Sequence, residues 1–131
     1  MSEPRTVYLI DDDAAVRRGL GRLLKSAGYD VVPCDTAEAY LALMAYRRPS
    51  CLLLDIRMPG MTGLELQRVL HGEGRHPPVV LLSGHVDAAT AERAISEGAV
   101  AVLSKPVDFD TLVNAIELGF ARHVEVVSGE Q

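Results

Sequence analysis

The chain has 131 residues and a formal net charge of -5, from 13 basic and 18 acidic side chains. Its length fits one domain with a real core, and 48% hydrophobic against 24% charged residues argues against a disordered tail. The negative balance works against a sequence-independent DNA or RNA binder, which needs a basic face to displace counterions from phosphates. The longest apolar runs, 52–54 and 79–82, fall far short of the ~20 residues that cross a bilayer. Residues 1–6 lack the apolar segment of a secretory signal. A cytoplasmic protein with no membrane partner is therefore expected. Cys34 and Cys51 match no paired metal pattern and are read as reduced, small apolar residues.

Apolar runs alternate with helix-period segments along the chain. Val7-Tyr8-Leu9-Ile10 reads as a strand buried on both faces, ending at Asp11-Asp12-Asp13. Val16, Leu20, Leu23, Leu24 and Ala27 then follow helical spacing, with Gly28 as the stop. A second strand spans Asp30 to Cys34, and a second helix starts near Thr36 with Tyr40, Leu41 and Met44 inward. The third strand, 51–54, stops at Asp55, and its exit loop carries Pro59, Gly60 and Gly63. Thr62 and Glu65 have capping-box spacing for a third helix with Leu66, Val69 and Leu70 on its core face. Pro77-Pro78 introduce a fourth strand, 79–82, ending at Ser83-Gly84. Asp87 caps an alanine-rich fourth helix that ends at Gly98. The fifth strand, 100–103, ends at Ser104-Lys105-Pro106. A last helix begins near Asp108 with Leu112, Val113, Ile116 and Phe120 on one face. The whole reads as a single domain over 1–131, with a core of about 5–122 and a flexible, fraying tail or the start of a linker at 123–131.

Strict strand–helix alternation implies an α/β fold, a doubly wound parallel sheet with helices on both faces. Its site then lies beyond the carboxyl ends of the strands, where strand order reverses. The polar residues that interrupt the pattern all fall there: Asp11 and Asp12, Asp55, Ser83 and Lys105. With order 2-1-3-4-5, the first and third strands are neighbours and three carboxylates converge. Such a group repels itself unless a cation sits among it, and hard oxygen ligands favour magnesium. Carboxylates, a divalent ion, a hydroxyl and an ammonium suit phosphoryl transfer.

Ile10-Asp11-Asp12-Asp13, Leu54-Asp55-Ile56-Arg57-Met58-Pro59-Gly60, Leu82-Ser83-Gly84-His85 and Ser104-Lys105-Pro106 together resemble the receiver domain of bacterial two-component response regulators. The wording is most similar to the FixJ-like transcriptional regulators. The resemblance covers about residues 5 to 122 and implies a flavodoxin-like fold. It implies that Asp55 is the phosphoacceptor, taking the phosphoryl group from a phosphohistidine of a sensor histidine kinase or phosphotransfer protein. It further implies Mg2+ (or Mn2+) held by Asp12, Asp55 and the Arg57 backbone carbonyl, with Asp11 acting through water. Lys105 would pair with the phosphoryl oxygens, Ser83 would hydrogen-bond them, and the Lys105-Pro106 bond would be cis. Arg57 and His85 flank the pocket and are expected to tune phosphate lifetime. One departure stands out. Where the family often has an aromatic switch, three residues before the lysine, this chain has Val102. A stiff valine has no ring to swing, so signal is expected to leave through the loop and face of the fourth helix.

The chain is thus expected to be a signalling domain that assists its own phosphorylation and dephosphorylation, with no separate substrate. A haloacid-dehalogenase-like phosphatase would want a second Asp at position 57, where this chain has Arg. A stand-alone phosphotransfer or interaction module is the other alternative. FixJ-like regulators carry a DNA-binding effector and dimerise on phosphorylation. By resemblance, a transcriptional output from an effector beyond this chain is expected, with a phosphate-dependent homodimer through the fourth helix and fifth strand, and no direct nucleic-acid binding by these residues. Asp13 is assigned to helix capping, and His71, His76 and His123 to the surface. Removing Asp11, Asp12 and Asp55 from the 18 acids leaves 15 against 13 bases, so more than half of the net charge falls in one cleft.

Overall fold

The computed structural model describes residues 5–43, 50–74 and 77–129, with side chains as far as 122. Met44, His76 and the His123 side chain lie outside the described residues. The elements in chain order are β1 (Thr6–Ile10), α1 (Ala14–Ser26), β2 (Asp30–Cys34), α2 (Ala37–Ala42), β3 (Ser50–Asp55), α3 (Gly63–Gly72), β4 (Val79–Ser83), α4 (Ala88–Ser96), β5 (Ala101–Ser104) and α5 (Phe109–Gly129). The sheet has the expected order, β2-β1-β3-β4-β5, and every pair is parallel. Helical backbone continues through 123–129, the stretch expected to fray.

The continuous apolar runs have a direct cause. Successive strand side chains point to opposite faces, and both faces of this sheet are covered. Tyr8, Ile10, Leu52, Leu54 and Leu81 pack on the side of α2, α3 and α4. Val7, Leu9, Leu53, Val80 and Leu82 pack on the side of α1 and α5, against Leu24, Leu112, Ile116 and Phe120. Cys34 and Cys51 are buried free thiols, and burial pushes the Cys51 pKa up to about 12. At the strand-entry end, Arg5 lies over the rings of Tyr29 and Phe120 and pairs with Glu117 at 2.9 Å. That cluster ties α5 to the starts of β1 and β2, opposite the strand exits.

The helix starts follow the caps read from sequence at Asp13, Thr62 and Asp87, and Thr36 adds a cap the sequence reading did not assign. Asp13, Thr36, Thr62 and Asp87 each accept a first-turn N–H, and Thr62 with Glu65 forms the full capping box. Several positions differ from the periodicity, and Ala27, at the end of the α1 stripe, is exposed. On α1, Leu23 is 44% exposed, because the apolar stripe is wider than the surface the sheet covers. On α3, Gln67 is buried while Val69 is only half-buried. The Gln67 amide donates to the Glu97 carbonyl at 3.0 Å and the Ala94 carbonyl at 3.4 Å, an interhelix tie that hydropathy does not reveal.

Gly63 is set by close approach. A Cβ there would lie 2.5 Å from the Asp55 carbonyl oxygen. The α3 N-terminus therefore rests directly on the end of β3. Gly63→Ala is expected to cost about 1–3 kcal/mol through backbone displacement. Gly19→Ala, on α1 with nothing within 4 Å of the new methyl, should instead stabilise by about 0.5–1 kcal/mol. Urea unfolding of both variants checks the contrast.

Candidate functional site

Each site residue is delivered by a strand exit. β1 ends at Ile10, and the Asp11 N–H still donates to the Cys34 carbonyl of β2 at 3.1 Å. That bond turns the Asp11 side chain into the cleft, where it is 1% exposed. Its Oδ1 accepts the Asp13 N–H at 2.9 Å, and its carbonyl accepts from Arg17 Nη1 at 2.6 Å. Asp12 is exposed, and Asp13 faces away to cap α1. Asp55 is the last residue of β3, in register with Leu82 of β4. It is 6% exposed, and its Oδ1 accepts the Arg57 N–H at 3.1 Å.

Lys105 reaches across from the end of β5. Its ammonium donates to Asp11 Oδ2 at 2.9 Å and to Asp55 Oδ2 at 3.3 Å. The Lys105-Pro106 bond is cis, as the resemblance implies. Carboxylate oxygens of Asp11, Asp12 and Asp55 lie within 4.8 Å of one another. Three negative charges face one positive charge, which leaves a local charge of two minus. An all-oxygen donor set with that residual charge fits a divalent hard cation such as Mg2+.

Titration follows the same electrostatics. Burial raises the Asp55 pKa above the ordinary carboxylate value, and the Asp11 charge adds to it. Lys105 and the Arg57 N–H oppose the shift without cancelling it. Burial pulls the Lys105 pKa down, but the hydrogen bond and charge of Asp11, with those of Asp55, raise it above the usual lysine value. The lysine is thus held charged, while an ionised Asp55 is costly without a further cation.

The remaining expected residues stand around this centre. Ser83 is buried at the end of β4, but its hydroxyl is turned onto the next loop. It donates to the His85 carbonyl at 3.0 Å and accepts the His85 N–H at 3.2 Å. The side chains of Arg57 and His85 are exposed. Val102 is half-buried on β5, paired with Leu81, and packs on the α2–α4 side. The structure therefore joins Asp11, Asp12, Asp55 and Lys105 directly and leaves Ser83 bonded to its own loop. Sequence reasoning did not find the Arg57 N–H on Asp55 or the Arg17 guanidinium on the Asp11 carbonyl. Backbone donors carry no sequence signature, and Arg17 reads as an ordinary solvated helix residue.

Similarity to known proteins follows the same residues. Positions 7–117 match the response regulator receiver domain family. The transcriptional regulatory protein FixJ of Azorhizobium caulinodans is 38% identical over 125 residues, covering 95% of this chain and 59% of that protein. FixJ of Bradyrhizobium diazoefficiens is 40% identical over 111 residues, covering 85% and 54%. The chain thus spans somewhat more than half the length of these curated relatives. Among solved structures, the response regulator StyR has a TM-score of 0.87 at 40% identity, covering 98% of this chain and 65% of that one. FixJ-N has a TM-score of 0.83 at 35% identity, covering 92% and 96%. No described helix is long and apolar enough to cross a membrane. Because the family match runs through all four strand exits that supply the cleft residues, the chain belongs to the response regulator receiver domains of two-component signalling.

Proposed function

We propose that Asp55 accepts a phosphoryl group from the phosphohistidine of a sensor histidine kinase or phosphotransfer protein. The observation that carries this reading is the Asp55 carboxylate, buried, bonded to Lys105 and grouped within 4.8 Å of Asp11 and Asp12. A carboxylate oxygen of Asp55 attacks phosphorus, the donor P–N bond breaks, and its electron pair stays on the imidazole nitrogen. Mg2+, held by Asp12, Asp55 and the Arg57 carbonyl with Asp11 through water, would supply charge neutralisation for the incoming phosphoryl oxygens. Manganese has the same donor preference. Lys105 offsets charge on the phosphoryl group from the β5 side.

Ser83 answers the new charge by a hydroxyl rotation. To donate to a phosphoryl oxygen it must leave the His85 carbonyl, which frees the β4–α4 loop. Val102 has no ring to follow, so the displacement passes to that loop and α4. Ile95 of α4 is 47% exposed, which supports a phosphate-dependent homodimer over the α4 and β5 face. The relatives named as transcriptional regulators support a DNA-binding output for the protein that carries this domain. The domain assists its own phosphorylation and dephosphorylation and turns over no separate substrate, in the cytoplasm with its kinase.

Acetyl phosphate with Mg2+ is expected to add one phosphoryl group by intact-mass spectrometry, and Asp55→Asn should abolish it. Arg57→Ala and His85→Ala should each change the phosphate half-life, and two unchanged half-lives would remove both side chains from that role. Saturating Mg2+, at a hundredfold its Kd, should stabilise the wild type by about 2.7 kcal/mol and Asp12→Asn by clearly less. In metal-free buffer the raised Asp55 pKa sets a sign. The native state holds that proton more tightly than the unfolded chain, so its contribution is lost as pH rises through the folded pKa. Asp55→Asn should therefore unfold at higher urea than the wild type at neutral pH, with the gap closing in acid.

A further inference from the structure

The loop after Asp55 is held at several points. Met58 is buried in the core on the α2–α4 side. The Gly63 N–H donates to the Ile56 carbonyl at 3.0 Å. Between them, the loop is gripped from another element. Oε2 of Glu38, in the first turn of α2, accepts the Met61 N–H at 3.2 Å. The same oxygen lies 2.9 Å from the point a Cβ on Gly60 would occupy. Gly60 has a φ of 75°, a left-handed backbone conformation that favours glycine.

The grip is rigidly mounted. Thr36 caps the same turn of α2 by accepting the Ala39 N–H at 2.9 Å. A carboxylate in a first helical turn is also favoured by the helix dipole. The gripped loop leads back to Arg57, whose N–H is bonded to Asp55.

We propose that Glu38 is a positioning residue for the phosphoacceptor site, fixing the Arg57–Met61 loop by accepting the Met61 N–H. The inference rests on the phosphoacceptor reading and deepens it. Glu38 acts as a hydrogen-bond acceptor rather than as a charge. Its carboxylate is exposed and screened by solvent, whereas the contact to Met61 is local and directional. The loop conformation in turn sets where the Arg57 backbone groups meet Asp55 and a bound cation.

Glu38→Ala and Glu38→Gln separate the two roles, because Gln keeps an Oε acceptor and loses the charge. In metal-free protein, Glu38→Ala should speed amide hydrogen exchange at both Met61 and Arg57 by about fivefold, the worth of one hydrogen bond. It should also weaken the Mg2+ Kd by about the same factor, while Glu38→Gln stays within about twofold on both measures. Both variants should melt close to the wild type, since the side chain is exposed. Faster exchange confined to Met61, an unchanged Mg2+ Kd in Glu38→Ala, or equal impairment in Glu38→Gln would each overturn the inference. If the wild type binds no Mg2+, the phosphoacceptor reading fails, and exchange at Arg57 alone decides the role of Glu38.

Discussion

The structure depends on a charge imbalance. Asp11, Asp12 and Asp55 converge where β1 and β3 lie side by side, and Lys105 supplies one compensating ammonium. Two of the carboxylates are almost wholly removed from water, so their repulsion is weakly screened. A folded chain could relieve it by turning the acids outward. Here strand register and backbone bonds prevent that. Asp11 is locked between its N–H bond to Cys34 and its own bond to the Asp13 N–H, and Asp55 by its place opposite Leu82. The residual charge of two minus is therefore built into the sheet, and it favours a hard divalent cation in the cleft.

Holding such a centre demands close backbone packing around it. Gly63 lets α3 sit on the Asp55 carbonyl, and Gly60 lets Glu38 approach the loop backbone. Met58 anchors the same loop in the core. The opposite side is looser. Ser83 spends its hydroxyl on the His85 backbone rather than on the carboxylates, and His85 is exposed. One wall of the cleft is thus fixed and the other has a hydroxyl with an alternative partner.

Most of the architecture was legible in the chain. Continuous apolar runs such as Val7–Ile10 and Val79–Leu82 mark strands covered on both faces, because only that burial removes the polar alternation. The caps at Asp13, Thr62 and Asp87 fixed the helix starts, since a side-chain acceptor there answers orphan N–H groups. Asp11, Asp12, Asp55 and Lys105 stood out as polar residues closing apolar strands. Their roles became readable jointly, as parallel topology puts every strand exit at one end of the sheet.

What sequence alone determined was the set of elements, the parallel sheet and the acids, hydroxyl and lysine at the exits, because these follow from periodicity, alternation and local capping, while the strand order came from the family resemblance. What only the tertiary structure decided was how those groups are partnered. It gave Lys105 to Asp11 and Asp55 together, turned Ser83 onto His85, buried Gln67 between helices, left Leu23 exposed and set Glu38 on the Met61 N–H. Each depends on backbone groups and side chains far apart in the chain, meeting at distances set by strand register and helix packing. Local hydropathy and propensity carry no information about such pairings.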